Sequence, residues 1–255
     1  MRVASFAPCK EASHVGQNAK GRLSAPLALH TLAACGILWP VAKQIFIIGA
    51  GGHAKSVAEI ALAMGYEIKA FISPDSPSHT LLGSKIQPEL PQDLNVDEDS
   101  IAIGIGANWT REKVWLELSN TFPLAMFPVL THPSASVAVD TRIGAGSTIH
   151  QNASIGPSTT LGIFCTLNTS ASIDHDCLIG DFASIGPGAH TGGDVTVGNR
   201  AALAIGSITR HGIQISCDSV LGAASYAHRS TRENTVNVGN PATILRTRKP
   251  DDPYL

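Results

Sequence analysis

The chain has 255 residues and a net charge of −2, so its length allows one or two domains, and its charge offers no attraction to nucleic acid or an anionic membrane surface. Its five cysteines form an odd set without a Cys-x-x-Cys pair, which is typical of a protein with reduced thiols. We therefore expect a cytoplasmic protein that neither inserts into a membrane nor binds nucleic acid.

Residues 1–42 share no pattern with the rest of the chain. We predict that they form a disordered extension and that the folded part begins near Lys43. The stretch Leu32–Cys35 looks like a lipoprotein cleavage box, which leaves secretion as an alternative. The segment before this box is long for the charged region of a signal peptide, so the extension is the preferred interpretation.

Residues 43–130 alternate buried-strand runs with helical patterns, which predicts a Rossmann-like α/β domain with a parallel sheet. A glycine-rich turn at Gly49–His53 joins the first strand to the first helix, where a phosphate could approach the backbone and the helix N-terminus. A tight turn without a ligand is the alternative, because such a motif alone is weak evidence. The predicted strands are 44–48, 68–72, 101–105 and 124–130, and the predicted helices are 54–64 and 106–118.

Three loops of this domain follow strands at their carboxyl ends. They are the turn at Gly51, the segment Ser73–Asp75, and the segment Gly106–Arg111. Ligands of open α/β sheets bind beyond the carboxyl ends of the strands. The convergence of three loops therefore predicts a binding site at this edge of the sheet.

From Thr131 to Tyr226 the sequence repeats with a period of six and without an insertion. The first position of each unit is aliphatic or Thr, the fifth is usually small, and the second is often Gly. This period predicts a hexapeptide β-helix, in which three units form one triangular coil. The first and fifth positions point inward, so Cys165 and Cys177 are expected to be buried thiols. Glycine at the second position is expected to permit backbone angles that other residues resist.

A β-sandwich is the alternative architecture, but its strands would not keep one frame over such a length. The β-helix domain is predicted to span residues 131–248, including a closing segment after the repeats. The tail beyond Arg248 is expected to be loose.

One coil unit carries a candidate catalytic pair, His175 and Asp176. His175 occupies the third position, which points outward at a turn. A carboxylate beside an imidazole can select its tautomer and stabilise the imidazolium, so the pair could act as a general base. A solvated corner histidine is the alternative, because adjacency in sequence does not place the carboxylate on the ring.

A metal site is a further alternative, since β-helices can carry zinc between subunits. The other outward histidines, His150, His190 and His211, have no partner within five residues and do not share one unit position. We therefore expect no metal. A base on the outer wall of a coil suits acyl transfer from a thioester, because the acceptor is itself the nucleophile and the protein needs to remove only a proton.

Four segments resemble a known family, the bacterial sugar acetyltransferases that join a nucleotide-sugar-binding domain to a left-handed β-helix. The segments are Ile45–His53, Ile105–Arg111, Leu167–Gly180 and Val238–Ala242. The pattern from Leu167 to Gly180 is specific, whereas the last segment is shared among hexapeptide acyltransferases. The family includes UDP-4-amino-sugar N-acetyltransferases, perosamine N-acetyltransferases and proteins described as sialic acid O-acetyltransferases.

The resemblance implies a role for each matched residue and a homotrimer with acetyl-CoA, as co-substrate, in a groove between neighbouring coils. His175 matches the general base, and Asp176 matches the acidic residue that raises its basicity. The residues implied to bind the nucleotide-sugar are Gly51, Gly52, His53, Asp75, Gly106, Asn108 and Arg111. Those implied to contact acetyl-CoA are Ser184, Gly193, Ile205 and Ala223.

The sequence departs from the family at the end of the second strand. Relatives often carry paired acidic residues there, whereas this chain has Ser73 and Pro74, with Asp75 one step later. This leaves the nucleobase open between uracil and guanine. Ser184 replaces a His of some relatives, and Ala223 replaces a Gly.

The sequence thus predicts an acetyl-CoA-dependent acetyltransferase acting on the amino group of a nucleotide-linked amino sugar for surface glycan synthesis. Sugar O-acetylation is the nearest alternative, because the same base serves both nucleophiles. A non-catalytic nucleotide-sugar-binding partner protein is the alternative from another class.

Overall fold

The computed structural model describes residues 43–76 and 78–253, with the side chain of Ala125 left out. The predicted extension at residues 1–42 lies outside the described residues. The described residues belong to one compact unit. No helix in the described ranges is long and apolar enough to cross a membrane.

The described chain begins with the predicted α/β domain. Its elements are β1 (Gln44–Ile48), α1 (Gly52–Ala63), β2 (Glu67–Ile72), β3 (Thr80–Leu81), β4 (Ser84–Gln87), β5 (Asp99–Ile103) and α2 (Asn108–Leu118). The sheet has the order β3-β4-β2-β1-β5, and β1 lies parallel to both β2 and β5. Helix α1 packs its buried alanines and Val57 on one side of this sheet.

The structure also contains a β3–β4 hairpin that is not among the predicted strands, and β4 adds to the sheet beside β2. One sequence prediction for this domain is wrong. The predicted strand 124–130 is instead a 3₁₀ turn, Leu124–Met126, followed by a strand that pairs with the β-helix. Pro128 interrupts this run, because proline cannot donate a hydrogen bond to a strand ladder.

The repeat region forms the predicted parallel β-helix. Each short strand covers the sixth position of one unit and the first of the next, and pairs with strands eighteen residues away, as Ser154 does with Ser172. The strands are β6 (Leu130–Thr131), β7 (Ser136–Val137), β8 (Arg142–Ile143), β9 (Thr148–Ile149), β10 (Ser154–Ile155), β11 (Thr160–Leu161), β12 (Thr166–Leu167), β13 (Ser172–Ile173), β14 (Leu178–Ile179), β15 (Ser184–Ile185), β16 (Thr196–Val197), β17 (Ala202–Leu203), β18 (Ile208–Thr209), β19 (Gln214–Ile215), β20 (Val220–Leu221) and β21 (Tyr226–Ala227).

These strands build three faces of a prism. The first face contains β7, β10, β13, β18 and β21, with His190 bridging β13 to β18. The second contains β8, β11, β14, β16 and β19. The third contains β6, β9, β12, β15, β17 and β20, and is extended by β22 (Thr235–Gly239) and β23 (Ala242–Thr247). Aliphatic first positions and small fifth positions fill the interior, where Cys165 and Cys177 are buried free thiols, as predicted.

The role expected for the second-position glycines is wrong. None of them has a positive φ; the left-handed conformation falls on the fourth position of the units, for example at Asn152 and Asp176. The second-position glycines are needed because the next coil passes very close. A Cβ on Gly180 would lie 2.7 Å from the backbone nitrogen of Asn199, closer than real contacts allow.

The α/β domain packs on the β-helix through an aromatic cluster. The rings of Phe164 and Phe182 stack at 5.5 Å, one coil apart, and Trp115 of α2 lies 4.9 Å from Phe164. Both phenylalanines take the left-handed conformation, which is unfavourable for a bulky residue. Their burial in this cluster offsets that cost, and it ties α2 to one edge of the prism.

The end of the chain is more ordered than expected. Arg248 is buried, and its guanidinium donates to the carbonyl oxygens of Asp218 (2.7 Å) and Pro250 (3.0 Å). The prediction of a loose tail is therefore wrong for residues up to Pro253. The repeat frame also continues one strand beyond Tyr226, because Ala227 occupies the next inward position.

Candidate active site

His175 lies on the corner that joins the first face to the second, here called the His175 corner (residues 174–176, 192–194 and 210–212). Its side chain is 55% exposed, and Nδ1 lies 2.7 Å from Oδ2 of Asp176. Asp176 occupies the left-handed fourth position, with φ of 59°, and this turn directs its carboxylate back to the preceding side chain. The contact that sequence adjacency could not prove is therefore present.

The hydrogen bond sets the chemistry of the imidazole. An ionised carboxylate only accepts hydrogen bonds, so Nδ1 carries the proton and Nε2 of the neutral ring keeps its lone pair. The hydrogen bond that His175 donates to Asp176, and then the charge of Asp174, raise the pKa of His175 above its ordinary value. Nε2 is thus an exposed, strengthened proton acceptor.

Gly193 lies directly beneath this ring, one coil further along. A Cβ at Gly193 would lie 2.5 Å from Cε1 and Nε2 of His175, so no other residue fits without moving the imidazole. Glycine at this position leaves room for the imidazole of His175, in addition to the contact with acetyl-CoA that the resemblance implies.

A cavity of about 590 Å³ lies elsewhere on the molecule, between the N-terminal end of α2, the third face of the β-helix and the C-terminal turn. Five of the predicted site residues line it: His53, Gly106, Asn108, Ser184 and Ile205. The cavity thus brings together residues predicted for both substrates.

The other predicted residues do not line this cavity. Ala223 lies next to the cavity residue Ile205, on the corner that joins the third face to the first, here called the Ile205 corner (residues 204–206 and 222–224). His175 and Gly193 lie on the next corner, at the opposite edge of the first face. One copy of the chain therefore does not gather all the predicted acetyl-CoA contacts at one point.

Arg111, predicted to bind substrate, has its donors occupied within the chain. Its guanidinium is almost fully buried and holds the loop before α2 against two turns of the β-helix. The acceptors are the carbonyl oxygens of Phe164 (2.9 Å), Ile105 (2.9 Å), Gly106 (3.0 Å) and Phe182 (2.8 Å), and Oδ1 of Asn108 (2.9 Å). We assign Arg111 a positioning role for the Gly106 loop.

Asn108 has a similar arrangement. Nδ2 donates to the carbonyl oxygens of Arg200 (3.0 Å) and Ala201 (3.1 Å), while Oδ1 accepts from Arg111. Asn108 lines the cavity, but only 2% of the residue is exposed and its amide group is already hydrogen-bonded within the chain. Its structural function is to join the start of α2 to the third face.

His53 follows the glycine turn at the start of α1 and packs against His150, with ring centroids 5.6 Å apart. Burial, and then the charge of Arg111, lower the pKa of His53 to about 4. His150, expected to be an outward histidine, is buried beneath the α/β domain, and burial lowers its pKa to about 3. Both rings are therefore neutral at physiological pH.

The glycine turn itself is open. Nothing lies within 4 Å of a Cβ built on Gly51 or Gly52, so the chain's own packing does not require glycine at either position. The helix begins there without a side-chain cap, which leaves its first backbone N–H groups available to an anion. Asp75 is exposed in the turn after β2.

Sequence reasoning missed several cavity residues. Trp109 and Arg200 line the cavity, as does the C-terminal turn from Arg248 to Pro253. Trp109 lies inside the quoted segment Ile105–Arg111 and could have been singled out there, but no local pattern marks Arg200 or the turn. Within residues 43–76 and 78–253, no group of three or more His, Cys, Asp or Glu is placed to hold a metal ion.

Known proteins resemble this chain in sequence and fold. The PglD N-terminal domain profile matches residues 44–118. PerB from Caulobacter crescentus, solved with CoA and GDP-perosamine, is 30% identical over 80% of this chain and 97% of that chain, with a TM-score of 0.73.

A second solved structure is the acetyltransferase domain of PglB from Neisseria gonorrhoeae. It is 31% identical over 80% of this chain and 100% of that chain, with a TM-score of 0.74, and the same domain has been solved with acetyl coenzyme A. Among curated proteins, no sequence matches the chain significantly.

Proposed function

The chain belongs to the sugar N-acetyltransferase family of the hexapeptide-repeat type, and on this premise we propose that it transfers acetyl from acetyl-CoA to the amino group of a nucleotide-linked amino sugar. The single observation that carries the proposal is the exposed His175, whose Nδ1 is hydrogen-bonded to Asp176 and whose Nε2 lies above Gly193. PerB, one of the matching structures, was solved with CoA and GDP-perosamine. Surface glycan synthesis is the proposed use of the product.

His175 acts as the general base. Acetyl-CoA supplies an activated thioester, and the amine of the sugar attacks its carbonyl carbon. Nε2 accepts the proton that the nitrogen loses as the new C–N bond forms, and then returns it to the departing thiolate as the C–S bond breaks. Asp176 keeps Nδ1 protonated and stabilises the imidazolium between these steps.

The α/β domain, residues 43–130, binds the nucleotide part of the acceptor. Gly51 and Gly52 let a phosphate approach the uncapped start of α1, and His53 and Gly106 line the cavity beside it. Asp75, at the end of β2, is proposed to contact the nucleoside. The complex of PerB with GDP-perosamine favours testing guanosine sugars alongside uridine sugars.

The β-helix domain, residues 131–248, binds acetyl-CoA between copies of the chain in a homotrimer. Ser184, Ile205 and Ala223 lie on or beside the Ile205 corner, whereas His175 and Gly193 lie on the other edge of the first face. Three prisms that turn this face toward a common axis place the Ile205 corner of one copy beside the His175 corner of the next. This geometry supports a site shared by two chains. The proposed location of the reaction is the cytoplasm, because the proposed co-substrate acetyl-CoA is a cytoplasmic metabolite.

The test is a thiol-release assay with acetyl-CoA and a panel of UDP- and GDP-linked amino sugars, each paired with the sugar that carries hydroxyl in place of the amine. We expect release only with one or more amino sugars. Turnover of the hydroxyl sugars alone would replace the proposal with O-acetylation. Failure to bind acetyl-CoA in calorimetry would replace it with a non-catalytic nucleotide-sugar-binding protein.

A further inference from the structure

Asp174 places a second carboxylate beside the imidazole of His175, near the ring nitrogen that Asp176 leaves free. Asp176 accepts from Nδ1, whereas Oδ1 of Asp174 lies 4.0 Å from Nε2. Nε2 of the neutral ring and the oxygens of an ionised carboxylate are both hydrogen-bond acceptors. The proposed base therefore has a second acceptor next to it.

The coil fixes the position of Asp174. Its backbone nitrogen donates to Oγ1 of Thr191 (3.1 Å), its carbonyl oxygen accepts from Oγ1 of Thr159 (2.9 Å), and Oδ1 accepts from the backbone nitrogen of His175 (2.8 Å). The side chain is 55% exposed, and the described part of the chain offers no hydrogen-bond donor to Oδ2. An ionised carboxylate has about four lone-pair positions, so Asp174 can accept from a ligand while it keeps its bond to the backbone.

The spacing of the two acceptors suits a single nitrogen atom. A nitrogen at the usual hydrogen-bond length of about 2.9 Å from both Nε2 and Oδ1 would have them roughly 90° apart, because these two atoms are separated by 4.0 Å. The two hydrogens of a primary amine diverge by a similar angle. One amine can therefore donate to His175 and Asp174 at the same time.

We propose that Asp174 and His175 together select an amine over a hydroxyl group as the acceptor, which rests on the function proposed above. A neutral amine donates one hydrogen to each residue, and its lone pair remains free for the thioester carbonyl. A hydroxyl group has one hydrogen, so donation to Nε2 leaves its oxygen facing the carboxylate with no hydrogen between them. A site built to accept from a substrate N–H rejects the analogue that lacks this hydrogen. The selection depends on the number of hydrogens and not on the net charge of the corner.

This arrangement agrees with the proton balance of the reaction. A sugar ammonium first loses one proton to water and becomes the neutral amine. The nitrogen lone pair then forms the C–N bond, and His175 takes one of the two remaining protons. The electron pair of the C–S bond leaves with sulfur, and Nε2 returns its proton to the thiolate. The last hydrogen stays on the product amide and is still donated to Asp174.

The experiment removes the acceptor with Asp174→Ala and only its charge with Asp174→Asn. The Asn side chain keeps an oxygen that can accept from the His175 backbone nitrogen, so an acceptor stays near Nε2. For each variant, kcat/KM is measured for the accepted amino sugar, and Ki is measured for its hydroxyl counterpart as a competitor. Both are taken at a pH above the limb set by His175, so that a change in the pKa of His175 does not contribute.

In Asp174→Ala we expect kcat/KM for the amino sugar to fall about 10- to 100-fold, the size of a hydrogen bond to a charged group. Ki for the hydroxyl sugar should stay within about 3-fold of wild type, because a hydroxyl group does not use Asp174. Asp174→Asn should lose about 5-fold in kcat/KM, because a neutral acceptor forms a weaker bond.

Asp194→Asn is the matched control. Asp194 is exposed on the next coil of the same corner, forms no ion pair with His175, and has the smallest of the charge effects that raise the pKa of that ring. Its kcat/KM should stay within about 2-fold of wild type.

Wild-type kcat/KM in Asp174→Ala would overturn the selection by Asp174 while leaving the proposed function intact. An equal loss in Asp174→Asn and Asp174→Ala, or a Ki for the hydroxyl sugar that rises as much as kcat/KM falls, would overturn it as well. A wild-type chain that acetylates no amino sugar would instead overturn the proposed function, and the selection with it.

Discussion

At the scale of single residues, the exposed imidazole of His175 has a fixed orientation and one ring nitrogen open to solvent. The short contact with Asp176 and the glycine beneath the ring are both consequences of the coil, which repeats each corner every eighteen residues. The left-handed turn at Asp176 brings the carboxylate to Nδ1, so a local backbone conformation defines which nitrogen keeps its lone pair and could act as the proposed base.

Replacement of the base tests this arrangement directly. His175→Ala should lower kcat by about 10²–10⁴-fold, the usual contribution of a general base, and leave KM for acetyl-CoA within a few fold. His211→Ala is the matched control, because His211 is an exposed histidine on the same corner. Wild-type turnover in the His175→Ala variant would show that His175 is not the general base.

The pH dependence of turnover tests the partner carboxylate. His175 is the base only when neutral, so activity should rise as pH passes through its raised pKa. Asp176→Asn removes the largest cause of that rise, so the limb of the pH–kcat profile should move to lower pH while the plateau rate falls.

Asp174→Asn serves as the comparison for this profile. The carboxylate of Asp174 lies 4.0 Å from Nε2, and its charge is the second cause of the raised pKa. The Asp174→Asn substitution should also move the limb of the pH–kcat profile to lower pH, but by less than Asp176→Asn does. An Asp176→Asn profile that coincides with the wild type would show that the hydrogen bond does not tune the base.

At the scale of elements, the second and fourth positions of the repeat have different functions in the coil. Glycine at the second position lets adjacent coils approach closely. The residue at the fourth position turns the corner with a positive φ, and this residue is often not glycine. The start of α2 is likewise held by contacts with the coil through Asn108 and Arg111.

Alanine at the two glycine positions should have unequal effects. Gly180→Ala places a Cβ 2.7 Å from the Asn199 nitrogen and should destabilise the protein by about 3 kcal/mol through overpacking. Gly188→Ala, with φ of 61° and open space around the Cβ, should cost about 1 kcal/mol. Denaturant unfolding of both variants measures the difference, and equal losses would contradict the close-approach explanation.

The role of Arg111 is tested by stability. Arg111→Lys leaves several buried carbonyl oxygens without donors and should cost about 3 kcal/mol or more. The loss should appear in unfolding of the substrate-free protein. If the variant has wild-type stability but a raised KM for the sugar substrate, Arg111 contacts the substrate directly.

At the scale of the whole molecule, the predicted contacts are divided between two edges of one prism face. The cavity is built by the α/β domain, the third face and the C-terminal turn, while His175 lies on a different corner. In the proposed trimer, a neighbouring copy completes the site.

Mixed assemblies test this division. His175→Ala and Ile205→Arg should each be inactive alone, the latter because a charge replaces an exposed apolar contact on the Ile205 corner. Trimers co-assembled from equal amounts of both chains should recover about one quarter of wild-type activity, because that fraction of shared sites pairs two intact halves. No recovery, with mixed trimers confirmed by native mass spectrometry, would place the site within one chain.

The amino-acid sequence by itself determined the coil, the aliphatic and small residues that fill its interior, and the outward corner that carries His175. Each of these features follows from the position of a residue within the six-residue repeat, which can be read directly from the sequence. It also determined the α/β alternation and the glycine turn, which are local patterns. The tertiary structure alone decided which groups remain available to ligands. Asn108 reaches a carbonyl 92 positions away, His150 is covered by another domain, and the C-terminal turn closes the cavity. Such contacts join distant parts of the chain, and no local spacing encodes them.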